Sequence, residues 1–206
     1  MAFMFLMQEI NLKQEVLERI IVKYSWILYL KVDTNLRPTI EVFRSYGYTN
    51  SDICAMVSRI PSVLAINHEK TLPQKLKQLE NDFNLEGRNL IDVTLAQPTL
   101  LTSSFDRNSD ISTFLTDVVG LTKPQVGDML KSNPTIAATS ITILSAAWMA
   151  LINAYGFSSQ FARSIVLKNS YVLSKKTLRN ITGRVKLFEE IGLPSPYPEL
   201  QKILLR

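Results

Sequence analysis

The side chains able to do chemistry in this chain are mostly cations. Two registers organise them. Lys23, Arg59 and Lys168 stand two residues before a recurring break in the chain, and Lys70, Arg107 and Arg179 stand nine residues after it. Such rows suit neutralisation of regularly spaced phosphates, because equivalent positions of a stacked repeat fall on one face. With neighbouring basic residues they give a candidate nucleic-acid-binding set of Arg59, Lys70, Arg107, Arg163, Lys168, Lys175, Lys176, Arg179 and Arg184. Tyr155, Phe157 and Tyr171 are candidates for base stacking, with core packing the favoured use of each. Catalytic chemistry has little support. His68 is the single histidine and Cys54 the single cysteine, too few for a zinc site or an internal disulfide. No phosphate-cradling glycine loop, nucleophile elbow or paired-carboxylate motif occurs. The expectation is a non-enzyme with no cofactor and no metal.

The charge is unevenly placed. Residues 1–107 carry 12 basic and 12 acidic side chains, and residues 163–206 carry nine and three, so the last part supplies the whole net charge of +5. Composition is that of a folded helical protein: 46% hydrophobic, with seven Gly and nine Pro in 206 residues. No run is apolar and long enough to span a membrane. The start, "MAFMFLMQEI", lacks a basic leader, and Glu9, Glu15 and Glu18 arrive early for an organelle presequence, so the expectation is either no presequence or a chain that lacks its true N-terminus.

What must position the cations is a repeat. Gly47, Asn84, Gly120, Gly156 and Gly192 recur every 36 or 37 residues, and Ser25, Pro61, Pro98, Pro134 and Ser170 recur in step with them. Glycine, or asparagine, marks a helix stop in the left-handed conformation. The next residue is apolar in every copy: Tyr48, Leu85, Leu121, Phe157 and Leu193. Thr49, Thr122 and Ser158 then read as helix caps, with Glu86 in that role in the second copy. Asp52, Asp92 and Asp128 read as acids near the starts of the helices that follow, favoured there by the helix dipole. Ile53 and Met56, Leu90 and Val93, and Val126 and Met129 give those helices an apolar face. Proline ends each helix and opens a short third one. The other long helix of a unit is marked by Leu36, Ile40 and Phe43, by Leu72, Leu76 and Leu79, by Phe114, Leu115 and Val118, by Trp148, Leu151 and Ile152, and by Val185 and Phe188.

The expected fold is therefore all-α: a right- or left-handed α-solenoid superhelix of three-helix units (long, long, short) of about 36 residues. The units are predicted as 36–71, 72–108, 109–144 and 145–180 within one repeat domain, with partial or capping units at 1–35 and 181–206.

The segments "YGYTNSDICAMVSRIPSVLA" (46–65), "NLEGRNLIDVTLAQPTLLTSS" (84–104) and "VGLTKPQVGDMLKSNPTIAATS" (119–140) resemble the mitochondrial transcription termination factor (mTERF) family, and the plant-type organellar branch by eye. The resemblance covers about residues 12–193, with Ser25 and Ser170 departing from its proline. It implies an organellar protein that binds double-stranded DNA or RNA along a basic groove. The roles implied are transcription termination or regulation, transcript processing, splicing, or ribosome assembly. It further implies a mitochondrial location (alternatively the chloroplast), partnership with other gene-expression proteins, and a monomer. The near-neutral first half supports an alternative, a scaffold whose concave face holds a protein.

Overall fold

Every stop residue proposed from the sequence takes up the conformation that the spacing requires. In the computed structural model, which describes residues 2–192, φ is +86° at Gly47, +53° at Asn84, +80° at Gly120, +66° at Gly156 and +73° at Gly192. Asn11 joins them at +54°, 36 residues before Gly47, so the column has one more member than its glycines reveal. Asparagine tolerates this region better than other side chains. Behind each stop an apolar residue closes the turn: Leu12, Tyr48, Leu85, Leu121 and Phe157 are all buried. The Tyr48 and Leu85 amides donate five residues back, to Phe43 and Glu80 carbonyls, which satisfies carbonyls the helix end would leave open.

The break column is as regular. Short helices begin at Ser25, Pro61, Pro134 and Ser170, and Pro98 caps the one over Thr99–Thr102. The residue before each break has φ between −134° and −148° and ψ between 57° and 87°, whether proline or serine follows. Its amide still bonds to the carbonyl four back, Ile60 to Met56 and Asn169 to Ile165 for example. Proline is thus compatible with the bend without being its cause. Beside Ser170 the Asn169 side chain accepts the Tyr171 amide, a local substitute for proline's rigidity.

Two compact units divide the chain, 1–108 and 109–206. Within the first, like helices stack on like. Arg37–Ser45 packs on Thr71–Phe83, Gln14–Lys23 on Asn50–Arg59, Asn50–Arg59 on Arg88–Ala96, and the short Pro61–Ala65 on Thr99–Thr102. Within the second, Ile141–Met149 packs on Lys175–Glu190 and Pro134–Ala138 on Ser170–Leu173. This is the neighbour-to-neighbour packing of a helical-repeat solenoid. Among the described residues there is no β-strand, and no helix is long and apolar enough to cross a membrane.

The core follows the predicted faces, with local corrections. Leu36, Ile40, Phe43, Leu72, Leu76, Leu79, Ile53, Met56, Leu90, Val93, Val126 and Met129 are buried. Val118 is exposed and Val119 takes its place, because Phe114–Val118 winds as a wider π turn and shifts the face by one residue. Ile152 is only half-buried. Glu86 does not cap: Gly87, at φ +53°, precedes the helix Arg88–Ala96, which starts one residue later than its counterparts and has no side-chain cap. The side chains of Val185 and Phe188, and Leu193 altogether, lie outside what the structure describes.

Candidate nucleic-acid interface

The helix caps come first, since they set where the second helices start. Thr49 accepts the Asp52 amide at 3.2 Å while Asp52 accepts the Thr49 amide at 2.9 Å, a reciprocal capping box. Thr122 and Gln125 repeat the arrangement, and the Ser158 hydroxyl accepts the Phe161 amide. Of the three aspartates expected near helix starts, only Asp52 lies in a first turn. Asp92 pairs with Arg88 at 2.8 Å and Asp128 with Lys131 at 2.6 Å, both further along their helices. Arg88 also reaches Asp52 in the preceding repeat, at 2.9 Å. Burial pushes the Asp52 carboxyl up, but the hydrogen bonds from Arg88 and Thr49 and the Arg88 charge outweigh it and hold the group below its ordinary value.

The candidate cations divide into two kinds. The first kind ties helix ends together. Arg59, at the end of Asn50–Arg59, donates to the Leu95 carbonyl and, at 3.1 Å, to the Ala96 carbonyl, at the end of the equivalent helix one repeat on. Arg163 donates to the Val119 carbonyl at 2.9 Å and lies across Gly120. Arg44 does the same for the Glu9 carbonyl, helped by Asn50, and pairs with the Glu9 carboxylate at 2.6 Å. A cation suits these places because the last carbonyls of a helix are unsatisfied and carry its negative end.

The second kind faces solvent. Lys70, Lys168, Lys175, Lys176 and Arg179 are exposed, and Arg107 is half-buried. Lys168 ends the helix Ser159–Lys168, and Lys175 and Lys176 open the helix Lys175–Glu190, so the short helix Ser170–Leu173 is flanked by cations on both sides. The chain from 129 to 188 contains no acidic residue and eight basic ones, so nothing on this stretch offsets the field. The Arg184 side chain lies outside the described residues.

In the first unit the row two residues before the break also meets. Lys23 and Arg59 line one cleft of about 270 Å³ with Arg19, Tyr24, Ser58 and Pro61. Arg19 belongs to neither row, since it lies one turn before Lys23 rather than at a repeated position. Lys75 is a cation of another sort: it is buried, its Nζ sits 3.6 Å from the centre of the Phe105 ring, and it donates to Gln78. Burial lowers its pKa, and the charges of Asp106 and Asp82 oppose that in part.

Of the three aromatics, Tyr155 and Phe157 belong to the core, stacked at 5.3 Å with Phe161 edge-on to Phe157. Tyr171 is 56% exposed and departs from the expectation of core packing. His68 is half-buried, with no cluster of potential metal ligands among the described residues.

No curated protein matches the chain. The model of the mTERF family, in general nucleic-acid-binding helical-repeat proteins of organelles, matches residues 2–154. That match covers 153 of 206 residues and spans repeats with the stop, cap and break just described, so this chain belongs to the mTERF family.

Proposed function

We propose that this protein regulates organelle gene expression by binding nucleic acid through its exposed cations, Lys168, Lys175, Lys176 and Arg179 first among them. The observation that carries the reading is the acid-free run from 129 to 188, with its cations at the ends of helices that bracket one short helix. Phosphate neutralisation is the chemistry such a surface performs, and each contact contributes roughly one unit to the salt dependence on a log–log scale. Lys70 and Arg107, nine residues past the break, extend the same role into the first unit. Arg59 and Arg163 act mainly through the helix ends they hold. Transcription termination or regulation, transcript processing and splicing are the processes in view. The mitochondrion is the compartment proposed, with the chloroplast as its alternative, and the protein works as a monomer.

The test replaces Lys168, Lys175, Lys176 and Arg179 together with glutamate and measures binding to organellar DNA and RNA fragments over a salt series. Affinity falls at low salt, and the slope of log affinity against log salt flattens by roughly one unit per lost phosphate contact. Unchanged affinity and slope reject this surface.

A further inference from the structure

Two short helices begin on serine, and the substitution does not come alone. Around Ser25 the chain reads Lys23-Tyr24-Ser25-Trp26, and around Ser170 it reads Lys168-Asn169-Ser170-Tyr171. In the three proline copies the residue after the break is Ser62, Thr99 or Thr135. Serine at the break therefore travels with an aromatic after it and a lysine two before it. The residue before the break has the same backbone conformation in all five copies, so the bend itself does not require the proline ring.

In the unit 109–206 that ring is presented rather than packed. Tyr171 is more than half exposed, while its amide bonds to Asn169 and its carbonyl accepts the Thr177 hydroxyl at 2.9 Å. The backbone under the ring is thus fixed, which reduces the ordering needed to bind. Lys168 is exposed three residues before it. In the unit 1–108 the Trp26 ring is half-buried and meets Tyr24 edge-on at 6.5 Å, and the Lys23 Nζ lies 5.2 Å from the centre of the Tyr24 ring. Lys23 and Tyr24 also line the cleft that holds Arg19 and Arg59.

A single exposed aromatic is ordinary on a protein surface. An ammonium and an aromatic ring at one bend, the ring exposed at Tyr171 and half-buried at Trp26, match one nucleotide: the phosphate for the lysine, the base face for the ring. A duplex keeps its base faces covered by neighbours, so the ring gains contact only from an unpaired strand. We infer that the Lys-x-Ser-aromatic bend in each unit is a stacking site for single-stranded nucleic acid. This rests on the nucleic-acid-binding reading above and narrows its substrate class.

The experiment uses the full chain with three probes: a short oligouridine, an oligothymidine of equal length, and a blunt DNA duplex, followed by fluorescence anisotropy at fixed salt. Tyr171→Ala weakens the single strands by roughly tenfold, the scale of one lost base stack, and leaves the duplex within about twofold. Tyr171→Phe keeps the ring and retains single-strand affinity. The strand held more tightly, ribose or deoxyribose, identifies the natural source. Trp148 is buried, and Trp148→Phe leaves Trp26 as the one tryptophan reporter. Its emission is quenched by the single strands and not by the duplex. Equal effects of Tyr171→Ala on strand and duplex, no effect on either, loss in Tyr171→Phe, or an unquenched Trp26 each overturn the stacking site while leaving the phosphate-binding surface standing. Failure of all three probes to bind the unaltered chain overturns both.

Discussion

Placing alanine at Gly120 makes the stop residue and its arginine answer for one another. Gly47 and Gly120 share nearly the same left-handed φ, +86° and +80°, where an L side chain costs about 1–2 kcal/mol. At Gly47 a new Cβ meets Ile91 Cδ1 at 3.7 Å, an ordinary contact, so Gly47→Ala costs the conformational penalty alone. At Gly120 the Cβ falls 2.2 Å from Arg163 Nη2 and 2.7 Å from its Cζ. The guanidinium must swing away and release the Val119 carbonyl, worth about 1 kcal/mol for a half-buried charge-assisted bond. Gly120→Ala therefore costs about 2–3 kcal/mol. In a chain of this size the extra kilocalorie lowers Tm by about 2–4 °C more than the conformational term alone. The assay is thermal and urea unfolding by circular dichroism of Gly120→Ala in two backgrounds, the native one and Arg163→Ala. With Arg163 removed, the penalty at Gly120 falls to that of Gly47→Ala. An identical penalty in both backgrounds refutes the tie.

Three further outcomes follow from contacts in the stack. Asp52→Asn lowers Tm at neutral pH, and the difference from the native chain shrinks on acidification: the folded carboxyl lies below its unfolded value, so its contribution is present above about pH 4 and lost as pH falls through the folded value. A Tm series over pH checks this, and a difference that persists in acid removes Asp52 as its source. Ser170→Pro gains about 0.4–1 kcal/mol, since Asn169 already holds the pre-proline conformation, and a loss in urea unfolding counts against the equivalence of the five bends. Tyr48→Phe loses about 1 kcal/mol through its buried 2.6 Å bond to the Thr94 hydroxyl, which still donates to helix carbonyls of its own. Equal stability of Tyr48→Phe and the native chain sinks that estimate.

The repeat was legible because stop and break are backbone events, and few residue types satisfy them. Alignment on glycines still hides Asn11, which meets the same demand with a different side chain. The slip from Val118 to Val119 follows from a π turn, a winding that hydrophobic spacing at 3.6 residues per turn does not encode. Glu86 fails as a cap because the helix beyond it starts one residue later, behind Gly87. The sequence places the cations but does not assign their contacts. Whether Arg59 reaches a phosphate or the carbonyl of Ala96 depends on the offset between stacked helices, and no spacing within one repeat contains that offset. Phe157 stands in the apolar column behind a stop and is buried, whereas Tyr171 follows a break, where the register of the short helix Ser170–Leu173 leaves its ring exposed.

The bend that survives without its imino acid has a genealogical consequence. Once stacked neighbours hold a corner in shape, mutation there is released from conformational duty, and descendants are at liberty to trade rigidity for a reactive surface. Copies that look degenerate in an ancestral array are then the places to seek acquired specialisation, and divergence from the consensus becomes a guide rather than noise.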